Sequence, residues 1–260
     1  MNAAMNHQPA FAYPEYERGE SVALFVPCYV DQFYPRIAEA TARLLTRLGV
    51  RVVFPPKQTC CGQPAFNSGY WAEARQVVRH FARVFTPYSY IVCPSGSCAA
   101  MCRVFFPFVD PAEDVVGVGR RVFEFTEFLV EVLRRPDVGA SFPHKVTLHI
   151  GCHTRRELGV VRPPELILEH IEKLEYVPLA ENDECCGFGG TFSVKMPGTS
   201  LAMGRSKVDH IVATGASWVL TTDISCLMHV GGITRRDPRA SGIHMAHIAE
   251  VLANYRELSG

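Results

Sequence analysis

TCCGQPAFNSG (Thr59–Gly69) and ECCGFGGTFSV (Glu184–Val194) each place a vicinal cysteine pair ahead of a glycine, and the two pairs stand 125 residues apart. That spacing is one of a set. Cys28, Cys60, Cys61 and Cys98 are answered by Cys152, Cys185, Cys186 and Cys226, at offsets of 124, 125, 125 and 128 residues. Upstream, SVALFVPC (Ser21–Cys28) matches KVTLHIGC (Lys145–Cys152). Downstream, YIVCPSGSCAAM (Tyr90–Met101) lies opposite VLTTDISCLMH (Val219–His229). The tails agree too: the stretches that begin at Glu124 and His244 both lead into an apolar helical pattern ending Val132-Leu133 and Val251-Leu252. Repetition in the same order reads as one structural unit used twice. The join falls near residue 140, in the Pro- and Gly-containing stretch from Pro136 to Pro143. The chain therefore divides into a loose polar arm at 1–20, a first domain at 21–140 and a second at 141–260.

Apolar periodicity predicts strands over 22–27, 50–54 and 88–93 and helices over 35–48 and 72–85 in the first half. The second half repeats this, with strands over 146–150, 174–178 and 218–221 and helices over 164–173 and 201–214. Strands alternating with helices imply parallel sheets with right-handed crossovers. The expected fold is thus α/β: two tandem related domains, each a small parallel sheet flanked by helices, in a pseudo-two-fold arrangement. In each domain the cysteines then follow the carboxyl ends of the strands, the edge at which open parallel sheets form ligand crevices.

Composition narrows the function. With 260 residues, 48% hydrophobic and 20% charged, the chain is that of a folded globular protein. Lys+Arg 26 balances Asp+Glu 26, so the charge that nucleic-acid or anionic-membrane binding would use is missing. No apolar stretch is long enough to span a membrane: Val122 to Leu133 is broken by Glu124, Glu127 and Glu131. The first twenty residues lack the basic and apolar regions of a signal peptide, which places the expected location in the cytoplasm.

In a reducing compartment, ten cysteines in a chain this long point to metal or redox chemistry and not to disulfide staples. A trans peptide holds adjacent side chains apart, so Cys60-Cys61 and Cys185-Cys186 suit a shared metal centre better than a bond to each other. Gly62 and Gly187 supply the positive φ that a tight ligand loop requires. Cys98 follows Ser95-Gly96-Ser97 at a helix start, where free amides favour thiolate; Cys226 has a similar setting. Four thiols suit structural zinc and a 4Fe-4S cluster alike. Cys93 and Cys102 face Thr221 and Val230 in the second half; both read as packing residues, Cys93 also as a possible extra ligand. His153, His229, His244 and His247 read as structural or surface histidines that could alternatively bind metal or move protons. Arg155, Arg156 and Lys195 flank the second cysteine frame and could bind a carboxylate or an acidic partner, or form a solvated face. Gly187-Phe-Gly-Gly190 lacks the dinucleotide spacing, and no phosphate-loop motif occurs.

The double frame resembles the cysteine-rich CCG domain that heterodisulfide reductase carries twice in one of its subunits. The same domain occurs in the iron–sulfur subunits of glycolate oxidase and anaerobic glycerol-3-phosphate dehydrogenase. CCGQPAFNSGY, PSGSC and CCGFGGTFSVKM resemble most closely the lactate utilisation protein A family, over roughly residues 21 to 255. The resemblance implies an iron–sulfur redox subunit of a complex that oxidises L-lactate to pyruvate, acting with two partner proteins, one of them also an iron–sulfur protein. It further implies that the chain is not active alone, and that lactate could bind within the complex. It carries over, as ligands of one or two clusters, Cys28, Cys60, Cys61 and Cys98, then Cys152, Cys185, Cys186 and Cys226. Many such domains end Cys-x-x-Cys; here Ser95 and Asp223 stand at the first of those positions, which leaves four-thiolate sites and not five-cysteine clusters. Zinc in one site, a zinc-stabilised assembly subunit and a metal-free dithiol oxidoreductase are the alternatives.

Overall fold

The computed structural model describes residues 11–254. Each half is built on four parallel strands. The first has β1 (Ser21–Leu24), β2 (Arg51–Val53), β3 (Tyr90–Cys93) and β4 (Val122–Glu124), in the order β2-β1-β3-β4. The second has β5 (Lys145–His149), β6 (Glu175–Tyr176), β7 (Trp218–Thr221) and β8 (His244–His247), in the order β6-β5-β7-β8. The registers correspond: Val22 faces Val52 and Tyr90, and Val146 faces Tyr176 and Trp218. Helices cover both faces of the central strands, so β3 and β7 are buried along their whole length and read as continuous apolar runs.

The expected strands and helices appear with their ends shifted by a few residues, the helix expected over 201–214 beginning already at Pro197, and β4 and β8 are additional. Each of these lies parallel at a sheet edge and runs directly into a helix. The long helices follow their apolar stripes. Pro35–Arg47 starts on a proline, which is suited to the first turn, buries Ile37, Ala40, Leu44 and Leu45, and is followed by Gly49 at φ 83°.

Contacts between the halves are reciprocal, as an approximate two-fold relation requires. The helix Cys28–Phe33 touches the second-half helix Ile224–Thr234, while the first-half helix Gly96–Ala100 touches the second-half turn His153–Glu157. Likewise Pro35–Arg47 packs on Ile248–Leu252, and Phe125–Glu127 packs on Arg162–Leu168. The largest apolar cluster draws on both halves, joining Val22, Leu44, Val92 and Phe128 to Val146, Leu148, Leu220 and Ile248.

Residues 1–10 of the expected polar arm lie outside the described residues. Within 11–20 the aromatic side chains are anchored while most of the other residues are exposed. Phe11, Tyr13 and Tyr16 lie against the shared core, Tyr13 donates to Glu127 at 2.7 Å, and the Arg103 guanidinium sits 4.4 Å from the Phe11 ring. The aromatic content of this stretch gives it apolar area to bury.

Candidate metal centre

Each strand-end loop delivers its cysteines in the same way in both halves. Gln58 pins the first loop, accepting from the Val26 amide at 2.7 Å and donating to the Leu24 carbonyl. Asn182 does the same in the second, accepting from Ile150 and donating to Leu148. Gly62 and Gly187, at φ 88° and 87°, turn the chain after each pair so that their N–H groups point back at the sulfurs of Cys60 and Cys185, both at 3.4 Å. At Gly187 any Cβ would stand 2.6 Å from the Ser200 carbonyl oxygen, so the turn is closed to side chains.

The sulfurs converge. Cys28 and Cys60 lie 3.7 Å apart, Cys152 and Cys185 3.8 Å, and Cys186 and Cys226 3.2 Å. All are free thiols, well beyond the disulfide length of about 2.05 Å. Thiolates around one tetrahedral ion with bonds of about 2.3 Å sit about 3.8 Å apart. Neighbouring thiols at this spacing suit a metal ion or cluster, and among the described residues the tightest set of three donors is His149, Cys186 and Cys226 in the second half. All eight duplicated cysteines line a single cavity of about 230 Å³, which also takes in Tyr29, His153, Phe188, Val194 and Asp223.

Protons are unevenly held. Cys60 accepts hydrogen bonds from Cys28, Cys61 and the Gly62 amide, which bring it down to about 3; Cys185 is brought down to about 2 by Cys152, Cys186 and Gly187. Cys28 and Cys152 are pushed up, because each donates its proton to that neighbour and both are partly buried. Cys61 and Cys186 are raised for the same two reasons, while Cys226, facing Cys186, is lowered to about 7. Each half thus offers one ready thiolate, and metal binding would release the remaining protons.

Asp223 links the two centres. One of its carboxylate oxygens accepts from the Ser97 amide at 2.6 Å, at the start of the helix bearing Cys98. The other accepts from the Ser225 amide at 3.0 Å, at the start of the helix bearing Cys226. Ser95 at the matching first-half position makes no such cap. Close backbone approach seals the junction: a Cβ on Gly96 would collide with the Thr154 hydroxyl.

The remaining expected residues lie elsewhere or have other partners. Cys93 and Cys102 are fully buried in the first-half apolar cluster and do not line the cavity. His153 does line it, with Nδ1 3.6 Å from the Cys152 sulfur. His229 faces Ser200, His244 packs on the Trp218 ring, and His247 begins a helix. Arg155, Arg156 and Lys195 lie outside the cavity lining, with Arg156 bound to the Asp183 carbonyl. One residue missing from the expected set is His149, fully buried, whose ring nitrogen and the sulfurs of Cys186 and Cys226 all lie within 4.8 Å of one another. Its signal was the one non-apolar ring in KVTLHIGC, opposite Phe25 in SVALFVPC.

Sequence comparison agrees with the duplication. The model of the CCG cysteine-rich domain matches twice, at residues 22–103 and 146–231. Lactate utilization protein A of Geobacillus thermodenitrificans is 46% identical over 240 residues, covering 90% of this chain and 99% of the relative. Lactate utilization protein A 1 of Bacillus mycoides is 43% identical over 244 residues, covering 92% and 99%. Among solved structures, a putative Asp/Glu racemase from Yersinia pestis aligns over 90% of this chain and 96% of its own, at 12% identity and a TM-score of 0.38, a distance at which the likeness says nothing about the site.

Proposed function

The chain belongs to the lactate utilization protein A family of CCG-domain proteins, and from that premise we propose that it is an iron–sulfur redox subunit of L-lactate oxidation to pyruvate. The observation that carries the reading is the single cavity lined by all eight duplicated cysteines. Cys28, Cys60, Cys61 and Cys98 would hold one cluster, of the 4Fe-4S type, and Cys152, Cys185, Cys186 and Cys226 a second. Bound there, such clusters supply one-electron transfer.

The chain's own residues set the conditions. Thiolates at Cys60 and Cys185 give each cluster its first attachment, and the buried partners Cys61 and Cys186 close the inner side. Asp223 aligns Cys98 and Cys226 by holding both helix starts. Tyr29 and Phe188, whose rings meet at 5.7 Å, wall the cavity and restrict water.

Two-electron oxidation of a hydroxy acid normally draws on a flavin or nicotinamide, and the chain carries no dinucleotide fingerprint, so relay within a complex suits it better than dehydrogenation alone. The proposed partners are two further lactate-utilisation proteins, one an iron–sulfur protein. Ten free thiols suit a reducing compartment, and the cytoplasm is the proposed location. Among the described residues no helix is long and apolar enough to cross a membrane.

Anaerobic purification with iron, sulfide and zinc analysis tests the cluster. A brown protein with iron and acid-labile sulfide, both reduced by Cys61→Ser or Cys186→Ser, is expected; colourless protein with stoichiometric zinc overturns it. Lactate-dependent dye reduction tests the relay. Activity that appears only with the partners, and is lost with Cys186→Ser, is expected; full activity of the isolated chain would make it the dehydrogenase.

A further inference from the structure

The two centres are alike in their thiols and unlike in what stands behind them. Phe25, just past β1, corresponds in the repeat to His149 at the end of β5, and both are fully buried. The helices Trp71–Phe85 and Pro197–Ala213 bury corresponding positions one for one: Ala74, Val78, Phe81, Ala82 and Phe85 against Ser200, Gly204, Lys207, Val208 and Ile211. Lys207 therefore stands where Phe81 does. In the first half Phe25 and Phe81 meet edge to face at 4.9 Å and share an apolar cluster with Cys61 and Cys98. The second half has replaced both rings of that pair with nitrogen bases.

Lys207 has an outlet, since its ammonium donates to the Glu181 carbonyl. His149 has no oxygen or nitrogen partner: neither ring nitrogen makes a hydrogen bond of ordinary geometry although the side chain is wholly buried, and what it interacts with is the Cys226 sulfur. Burial without such a partner is costly for a polar ring that phenylalanine could replace at this backbone position. What stands within reach of the imidazole are the sulfurs of Cys186 and Cys226. Imidazole and thiolate together are common ligands of iron and zinc.

We propose that His149 is a direct ligand of the metal held at the second centre, completing a four-ligand set with Cys185, Cys186 and Cys226 in place of Cys152, so that the first centre is all-thiolate and the second mixes sulfur and nitrogen donors. The inference rests on the reading that these centres hold iron–sulfur clusters. A neutral nitrogen adds no negative charge to its cluster, and the nearby Lys207 ammonium offsets some of the thiolate charge. The second centre is then the easier one to reduce, and electrons run from the first half to the second.

Pulsed EPR of the dithionite-reduced, anaerobically purified chain tests this after metal analysis. The expected result is a strong coupling to a bonded nitrogen that changes on ¹⁵N-histidine labelling. It persists in His153→Phe, which removes the imidazole that lines the cavity, and in Cys61→Ser, and disappears in His149→Phe. That last variant copies the first half's residue and so suits the space. The midpoint potential of the higher-potential centre should fall in His149→Phe while that of the other holds. A loaded protein showing only the weak coupling of a hydrogen-bonded nitrogen, or a strong coupling that survives His149→Phe, overturns the ligation. If His149→Phe fails to load, labelling of the unmutated chain combined with His153→Phe decides between the same two outcomes. A chain without iron and sulfide fails earlier, at the metal analysis, and overturns the cluster reading itself.

Discussion

Asp223 does with one carboxylate what two capping residues would otherwise do, and its near-complete burial makes the arrangement sensitive. Asp223→Ala removes the acceptor from both helix starts, at about 0.5–2 kcal/mol per cap. A lower unfolding temperature and loss of iron from both centres together are expected. Asp223→Asn keeps one acceptor oxygen and should fall between the two; iron lost from the second centre alone would show that the bridge does not matter. The cysteines carry a second expectation. In metal-free protein at pH 6, Cys60 and Cys185, lowered to about 3 and 2, are already thiolates and only half-buried, whereas Cys61 and Cys186 are buried and raised. Iodoacetamide with peptide mapping should find Cys60 and Cys185 labelled first, and equal labelling of all four would contradict the shared-proton picture. The eight thiols are legible in the sequence because duplication marks them. Asp223 registers there only as a departure from Cys-x-x-Cys, since its partner amide at Ser97 lies 126 residues away. His149 is hidden by a different cause, because a lone histidine in a strand gives no sign of what it will face.

The elements that periodicity reveals are those long enough to show a period. Trp71–Phe85 and Pro197–Ala213 have that length; the unexpected strands β4 and β8 have 3 and 4 residues and pass straight into a helix, which cuts their alternation short. Those two junctions are matched capping boxes. The Glu124 side chain accepts from the Thr126 and Glu127 amides, and Glu127 accepts from the Glu124 amide while pairing with Arg103. The His247 ring accepts from the Ala249 amide, and Glu250 accepts from the His247 amide. Burial acts on the two caps with opposite sign. It raises Glu124 to about 8 and lowers His247 to about 4. Between about pH 4.5 and 8 the native state holds the Glu124 proton that the unfolded chain has lost, so this group's stability contribution is present below 4.5 and lost as pH rises through that window. For His247 the unfolded chain binds the extra proton between about 4 and 6.5, so its contribution is present above 6.5 and lost as pH falls. Each window is worth on the order of a few kcal/mol. Urea unfolding across pH 4–9 should therefore show a flatter alkaline fall in Glu124→Gln and a flatter acid fall in His247→Asn. Parallel curves for all three proteins would mean that neither proton is linked to folding.

At the scale of the whole molecule the duplication conceals how far the halves depend on each other. Two tandem sheets are readable from the repeated cysteine frame, yet the frame says nothing about whether each sheet has a core of its own. The largest apolar cluster takes Val22, Leu44 and Phe128 from one half and Val146, Leu148 and Leu252 from the other. Arg47 fastens the junction as well, donating to the carbonyls of Val138 and Leu252. Separating the halves would expose that cluster on both, and would divide the lining of the cavity, which takes four cysteines from each. The hydrophobic gain lost scales with the area uncovered, whereas a single domain of this size keeps a margin of only about 5–15 kcal/mol. The intact metal-free chain should therefore unfold in one transition. Leu148→Ala, a full cavity in the shared core at about 2–5 kcal/mol, should move that transition as a whole, so that circular dichroism and the fluorescence of Trp71 in the first half and Trp218 in the second shift together. Expressed alone, residues 141–260 should be unfolded or aggregated and should recover structure only when mixed with residues 1–140. Two resolved transitions in the intact chain, with only the second displaced by Leu148→Ala, would show instead that each sheet stands by itself and that the cavity is assembled from two preformed walls.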